Sequence, residues 1–219
     1  MNRLKHVVWD LIIDRILIPG TPNSDRGWPF LSLTDHGLKV VSDRHPVPYD
    51  PDGYLARLEK ATGGLSPTIL RYLQEAVSTF RSSNYLASAV MLGAASEMLF
   101  IELCAAISGA IQDNQARSEF DKKTGEKRNM VERVRSVTEW LSHKKDQLPN
   151  EWRSQERTLL INKIADLIRD RRNEAGHPQD PPAIRSHEEM YALLMVFPDY
   201  CIKLYSLKHC LEAHAGTII

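Results

Sequence analysis

The chain has 219 residues, with 28 Lys/Arg balanced by 28 Asp/Glu, and a pI near 7.1. Hydrophobic residues make up 42% and charged residues 26%. This excludes a highly charged disordered chain and nucleic-acid binding by overall charge alone. At this length roughly 70% of the unfolded surface can be buried, so the core needs no disulfide or metal.

Residues 1–63 hold most of the turn chemistry. Leu4 to Ile18 carries an amphipathic helical pattern through Leu4, Val7, Val8, Leu11, Ile12 and Ile16, closed by Pro19-Gly20. No signal peptide is expected, because Met1 to Val8 leads into this charged amphipathic segment. Trp28-Pro-Phe-Leu-Ser-Leu-Thr reads as a short strand, and Asp35-His-Gly as a turn before Leu38-Lys-Val-Val. Turns are also expected at Pro22-Asn23, Pro46, Pro48 and Asp50-Pro51-Asp52-Gly53. The order of helix, loop and strand with a Leu-Thr-x-x-Gly ending resembles the last helix and wing of a winged helix. The segment is charge-balanced, with eight basic and eight acidic residues, and a structural role is expected of it.

Residues 64–219 read as an all-α bundle of about five helices. Ser66-Pro67 supplies an N-cap and a proline at the first helical position, opening a helix to about Ser82. Asn84 is placed to cap a long apolar helix to about Gln112. Two carboxylates, Glu97 and Glu102, fall near its middle, so it reads as a buried core helix rather than a membrane span. Gln112 to Arg128 is polar and reads as a mobile loop. Asn129 with Glu132 forms a capping-box pattern for a helix to about Gln147. A fourth helix follows Pro149-Asn150, from Glu151 to about Ala175, stopped by Gly176 and Pro178. After a Pro181-Pro182 loop, Ser186 with Glu189 is a second capping box for a helix to about Ala213. Pro198 predicts a kink or break inside it. Cys104, Cys201 and Cys210 have no C-x-x-C spacing, lie in apolar helix-like stretches and read as small buried hydrophobes of a cytoplasmic protein.

Zero net charge conceals an asymmetry. Residues 117–172 carry 15 Lys/Arg against 10 Asp/Glu, a local +5 that ends at Arg169, Arg171 and Arg172. Cations near a helix C-terminus are favoured by the helix dipole, by about 0.3–1 kcal/mol each, which explains them as a solvated helix end.

The stretch Arg171-Arg172-Asn173-Glu174-Ala175-Gly176-His177-Pro178 contains Arg-x4-His at the end of the penultimate helix. Together with the preceding long helix carrying Glu97, it resembles the HEPN superfamily over about residues 65–213. The resemblance implies a metal-independent endoribonuclease, with RNA as substrate and no cofactor. Such proteins are commonly homodimers and serve as toxins or antiphage defence effectors with an antitoxin or defence-system partner. Arg172, Asn173 and His177 fall on the family motif, Glu97 on a helix position that faces it, and Arg169 and Arg171 beside it as RNA-binding cations. The chemistry suits the residue types. Attack of a 2′-hydroxyl on the adjacent phosphorus needs proton transfer, suited to histidine, and a fixed cation for phosphate, suited to arginine. Asn173 can donate an amide hydrogen bond. Positions five apart do not share a helix face, so this role needs a bend at Gly176 to bring His177 over the Arg172 side. Glu97 is expected to pair with Arg172 or His177, or else with Arg71 or Arg169.

The same residues also serve as helix-termination chemistry, because Gly176, His177 and Pro178 are all favoured there. A non-catalytic HEPN-like dimerisation or adaptor module is therefore the alternative. Glu102, Ser88 and Ser96 are weaker candidates on the long helix. The remaining histidines are scattered, and no zinc spacing, phosphate-binding glycine loop or nucleophile elbow occurs. Trp9, Trp28, Trp140 and Trp152 read as packing residues.

Overall fold

A computed structural model describes residues 2–21, 27–43, 51–148, 152–153, 155–177, 186–216 and 218. The turns expected at Pro22-Asn23 and Pro46 to Asp50 lie outside these residues, as do Pro149 to Glu151, Pro178 and Pro181-Pro182. The described residues form nine α-helices and one two-stranded sheet, a mostly helical protein. They fall into two compact units, Met1–Pro51 and Asp52–Ile219.

In the first unit, α1 (Asn2–Ile13) ends five residues earlier than its pattern suggested. Arg15 sits in the left-handed region at φ 59°, and Leu17–Pro19 becomes strand β1. It pairs antiparallel with β2 (Leu31–Leu33), Ile18 facing Ser32. The turn expected at Asp35-His-Gly is instead the start of a helix, α2 (Asp35–Asp43). The Leu-Thr-x-x-Gly ending explains this locally. Thr34 Oγ1 accepts the Gly37 N–H at 2.8 Å, as a helix N-cap does. Gly37 must be glycine because a Cβ there would overlap the Ile16 carbonyl. Among this unit's described residues, Ile16 is the one large hydrophobic side chain that is buried, while Leu4 and Ile13 are each 73% exposed. Trp9 and Trp28 stack at a tilt, 5.8 Å between ring centroids.

The second unit begins with a helix where a turn was expected. Pro51 opens α3 (Pro51–Thr62), which buries Tyr54, Leu55 and Leu58. Proline fits the first turn of a helix, where its missing N–H has no partner to lose. The bundle follows as α4 (Pro67–Arg81), α5 (Tyr85–Ala110), α6 (Asn114–Thr124), α7 (Met130–His143), α8 (Gln155–Gly176) and α9 (His187–Ala213). Ser66 caps α4 through the Ile69 N–H, and Asn129 with Glu132 forms the expected capping box on α7. Ser186 caps α9 by accepting the Glu189 N–H at 3.2 Å. Asn84 precedes α5 without a side-chain cap bond, contrary to expectation. The expected loop at 112–128 contains α6, capped by Asp113 accepting from Ala116 N–H at 2.6 Å. Past α7, a short 3-10 turn covers Lys145–Gln147.

Helix α5 is the axis of the bundle, packed by α4, α8 and α9. It is long and apolar enough to cross a membrane, but buries Leu92, Leu99, Phe100, Leu103 and Ile107 against its neighbours. That packing accounts for its composition. Its Ser88 hydroxyl donates to the Ala76 carbonyl at 2.7 Å, and Ser96 bonds the Tyr200 hydroxyl at 2.9 Å. The chain's end returns to α5, with Ile218 accepting from Gln112 N–H and donating to Ala110 O.

Pro198 does not break α9. A proline at 198 leaves the Leu194 carbonyl, four residues earlier, without its helical donor. Tyr54 of α3 supplies one: its hydroxyl donates to Leu194 O at 3.0 Å in the buried core. Cys104 and Cys201 are buried as expected, but Cys210 is only half-buried, with its carbonyl accepting from or facing His214 Nδ1 at 2.7 Å.

Candidate functional site

The site forms where α8 crosses α5. Gly93 faces Arg172 so closely that a Cβ at 93 would overlap the arginine's Cβ and Cγ. With no side chain at 93, the Arg172 stem lies directly on α5 and its guanidinium reaches Glu97, one turn further along. Arg172 Nη2 stands 3.6 Å from Glu97 Oε2, and both side chains are partly exposed, at 38% and 26%. Arg172 Nη1 also donates to Asn173 Oδ1 at 3.1 Å. Glu97 thus takes Arg172 as its partner, while Arg71 pairs with Glu75 at 2.9 Å.

Arg169 lies one turn earlier on α8. It is 18% exposed and bonds Asp166 at 2.9 Å and Asp170 at 3.5 Å. With Gly93, Ser96 and Glu97 it lines a cavity of about 10 Å³, closed by Met130 and Val134 of α7. One water fits a space of that size. Arg171 pairs with Glu174 at 3.0 Å. All three arginines at the end of α8 therefore already have carboxylate partners.

His177 is exposed, and its ring has no partner among the described residues. The bend expected at Gly176 does not occur. Helix α8 includes Gly176, and the His177 N–H still donates to Asn173 O at 3.0 Å, the helical pattern. On such a helix His177 is displaced from Arg172 by about 7.5 Å along the axis and about 140° around it. One copy of the chain gathers Glu97, Arg172 and Asn173, and leaves His177 on another face.

Of the weaker candidates, Glu102 accepts from the Tyr205 hydroxyl at 3.2 Å and pairs with Lys208 at 3.5 Å. Tyr205 in turn accepts the Ser66 N–H at 3.0 Å. This cluster ties α4, α5 and α9 together. Trp140 packs edge-on to Phe120, and Trp152 is 4% exposed, so both serve packing. Among the described residues no group of three or more His, Cys, Asp and Glu is placed to hold a metal.

Gly93 is the site residue that sequence reasoning missed. A lone glycine inside an apolar helical run was the available signal, since a helix keeps one at a cost of about 1 kcal/mol relative to alanine. Comparison with protein-family models, curated proteins and solved structures finds no match.

Proposed function

We propose that the protein is a HEPN-type, metal-independent endoribonuclease that works as a homodimer, in the manner of a toxin or antiphage effector. The observation that supports this is Arg172, partly exposed and oriented by Glu97 and Asn173, near an exposed histidine at the end of the same helix. Arg172 would hold the scissile phosphate, with Glu97 fixing the guanidinium and the Asn173 amide adding a donor. His177 would transfer the proton between the 2′-hydroxyl and the leaving 5′-oxygen, giving a 2′,3′-cyclic phosphate and a free 5′-hydroxyl. Because Arg172 and His177 lie about 140° apart on α8, one chain cannot apply both to one phosphate. Two copies with their α8 ends facing one cleft supply both groups, which is the reason to propose a dimer.

The test is incubation with total RNA in EDTA. Cleavage that persists in EDTA and falls by about 10²–10⁴-fold in His177→Ala supports the proposal. Cleavage unchanged in that variant, or absent both in vitro and in a growth-arrest assay, refutes it.

A second proposal, a non-catalytic dimerisation or adaptor module, draws on two observations. Arg172 already has a carboxylate partner, and the first unit exposes Leu4, Trp9, Ile13 and Leu38. A contact surface on a partner protein would cover such residues. Inactive protein that co-purifies with a partner through that unit favours this alternative.

A further inference from the structure

The three arginines at the end of α8 each face a carboxylate, but Lys123 of α6 and Arg135 of α7 do not. The last turn of α6 and one face of α7 flank an open polar cavity of about 280 Å³ lined by Lys123, Arg128, Glu132, Arg135, Ser136 and Glu139. Arg128 and Glu132 are engaged with each other at 3.6 Å, and Glu132 also accepts the Asn129 N–H at 3.3 Å in the capping box. Among the described residues, neither Lys123 nor Arg135 has an ion-pair partner. The backbone of Ser136 is covered by the helix, but its hydroxyl opens on the cavity and has no hydrogen-bond partner among the described residues.

We infer that this groove binds one phosphodiester of an RNA backbone. Three cations and two carboxylates give the lining a net charge of +1. That matches the single negative charge of a phosphodiester. The dianionic phosphate monoesters would meet the unpaired Glu139 carboxylate with an uncompensated charge. Lys123 and Arg135 take the two non-bridging oxygens, and the Ser136 hydroxyl donates to one of them. The contact reads no base, so it supplies grip without sequence preference. The choice of RNA over other diesters rests on the ribonuclease proposal; the groove itself does not depend on it.

The experiment measures binding apart from cleavage. Fluorescence anisotropy is read on the full chain carrying His177→Ala, in EDTA, with a labelled 12-nucleotide single-stranded RNA. Adding Lys123→Gln and Arg135→Gln weakens binding by at least 10-fold and lowers the slope of log K against log salt by about 0.7, the value for one phosphate on a single strand. Glu139→Gln, which removes the opposing charge, tightens binding several-fold. Circular dichroism confirms that each variant is folded. Wild-type-like affinity in the Lys123/Arg135 variant, weaker binding in Glu139→Gln, or no saturable RNA binding by the parent overturns the inference. RNA held through this groove but never cut by the wild-type chain refutes the nuclease proposal and leaves the groove standing.

Discussion

Removing the Tyr54 hydroxyl tests how α9 tolerates Pro198. In Tyr54→Phe the ring keeps its packing, with Tyr54 2% and Leu194 0% exposed, but the 3.0 Å bond to Leu194 O is lost. The carbonyl then has no helical donor, because proline has no N–H, and no water reaches it. Leaving such a buried group unpaired costs about 1–3 kcal/mol. At about 2–4 °C per kcal/mol for a unit of this size, Tm falls by about 2–12 °C. The decisive measurement is a double-mutant cycle with Pro198→Ala, followed by urea unfolding. The amide restored at 198 donates to Leu194 O, so Tyr54→Phe then costs less than about 1 kcal/mol. The coupling should be about 1–2 kcal/mol, far above the few tenths expected of independent sites. An equal cost of Tyr54→Phe in both backgrounds refutes the compensation.

Three further outcomes are expected. Gly93→Ala gains up to about 1 kcal/mol of helix propensity, but overlap with the Arg172 stem costs about 1–3 kcal/mol. Tm therefore falls or barely moves, and under the ribonuclease proposal cleavage falls with it; a rise in Tm by the full propensity gain would refute the close crossing. At alkaline pH, burial raises the Cys104 thiol to about 11 and the Cys201 thiol to about 12, from an ordinary 9.0. The folded state holds those protons more tightly, so this stabilisation is complete below pH 9 and is lost as pH rises through 11–12. The urea midpoint falls between pH 9 and 10.5, and Cys104→Ala with Cys201→Ala flattens that fall; a profile unchanged by the double substitution refutes the assignment. Under native conditions at pH 8, the half-buried Cys210 reacts with a disulfide reagent faster than the buried Cys104 and Cys201. Counting modified thiols by mass spectrometry checks the order, and early loss of Cys104 or Cys201 contradicts it.

Where local chemistry decided an element, the sequence was enough. Ser66-Pro67, Asn129 with Glu132, and Ser186 all cap helices as their residue types suggest. The apolar length of α5 announced a core helix. Helix α6 was missed because it buries only Phe120 and Thr124, too few to set a period, although Asp113 was a usable cap signal. Pro51 suits a turn and a first helical turn equally, and the burial of Tyr54 and Leu58 decided for the helix. Pro198 leaves α9 unbroken, and the residue that supplies the missing donor, Tyr54, lies 144 positions away in the chain, out of reach of local sequence patterns. The partner of Glu97 was named among several, and Gly93 selected Arg172 by letting its stem lie on α5. The face of His177 depended on a bend, and the helical bond from its N–H to Asn173 shows that α8 continues unbent.

The local +5 of residues 117–172 ends, along the sequence, in the arginines at the end of α8. Pairing reverses that. Arg169, Arg171 and Arg172 each face a carboxylate within 3.6 Å, so little net field remains there to attract a polyanion. Lys123 of α6 and Arg135 of α7, which have no ion-pair partner among the described residues, flank a separate groove. The two surfaces are chemically suited to different tasks. A guanidinium already oriented by Glu97 and Asn173 loses little side-chain freedom when a phosphate arrives, which favours precise placement over attraction. Flexible, unpaired cations on a groove of net +1 favour capture, and salt weakens them first. If RNA is the substrate, raising salt should therefore increase the RNA concentration needed for half-maximal cleavage while leaving the rate at saturation nearly constant.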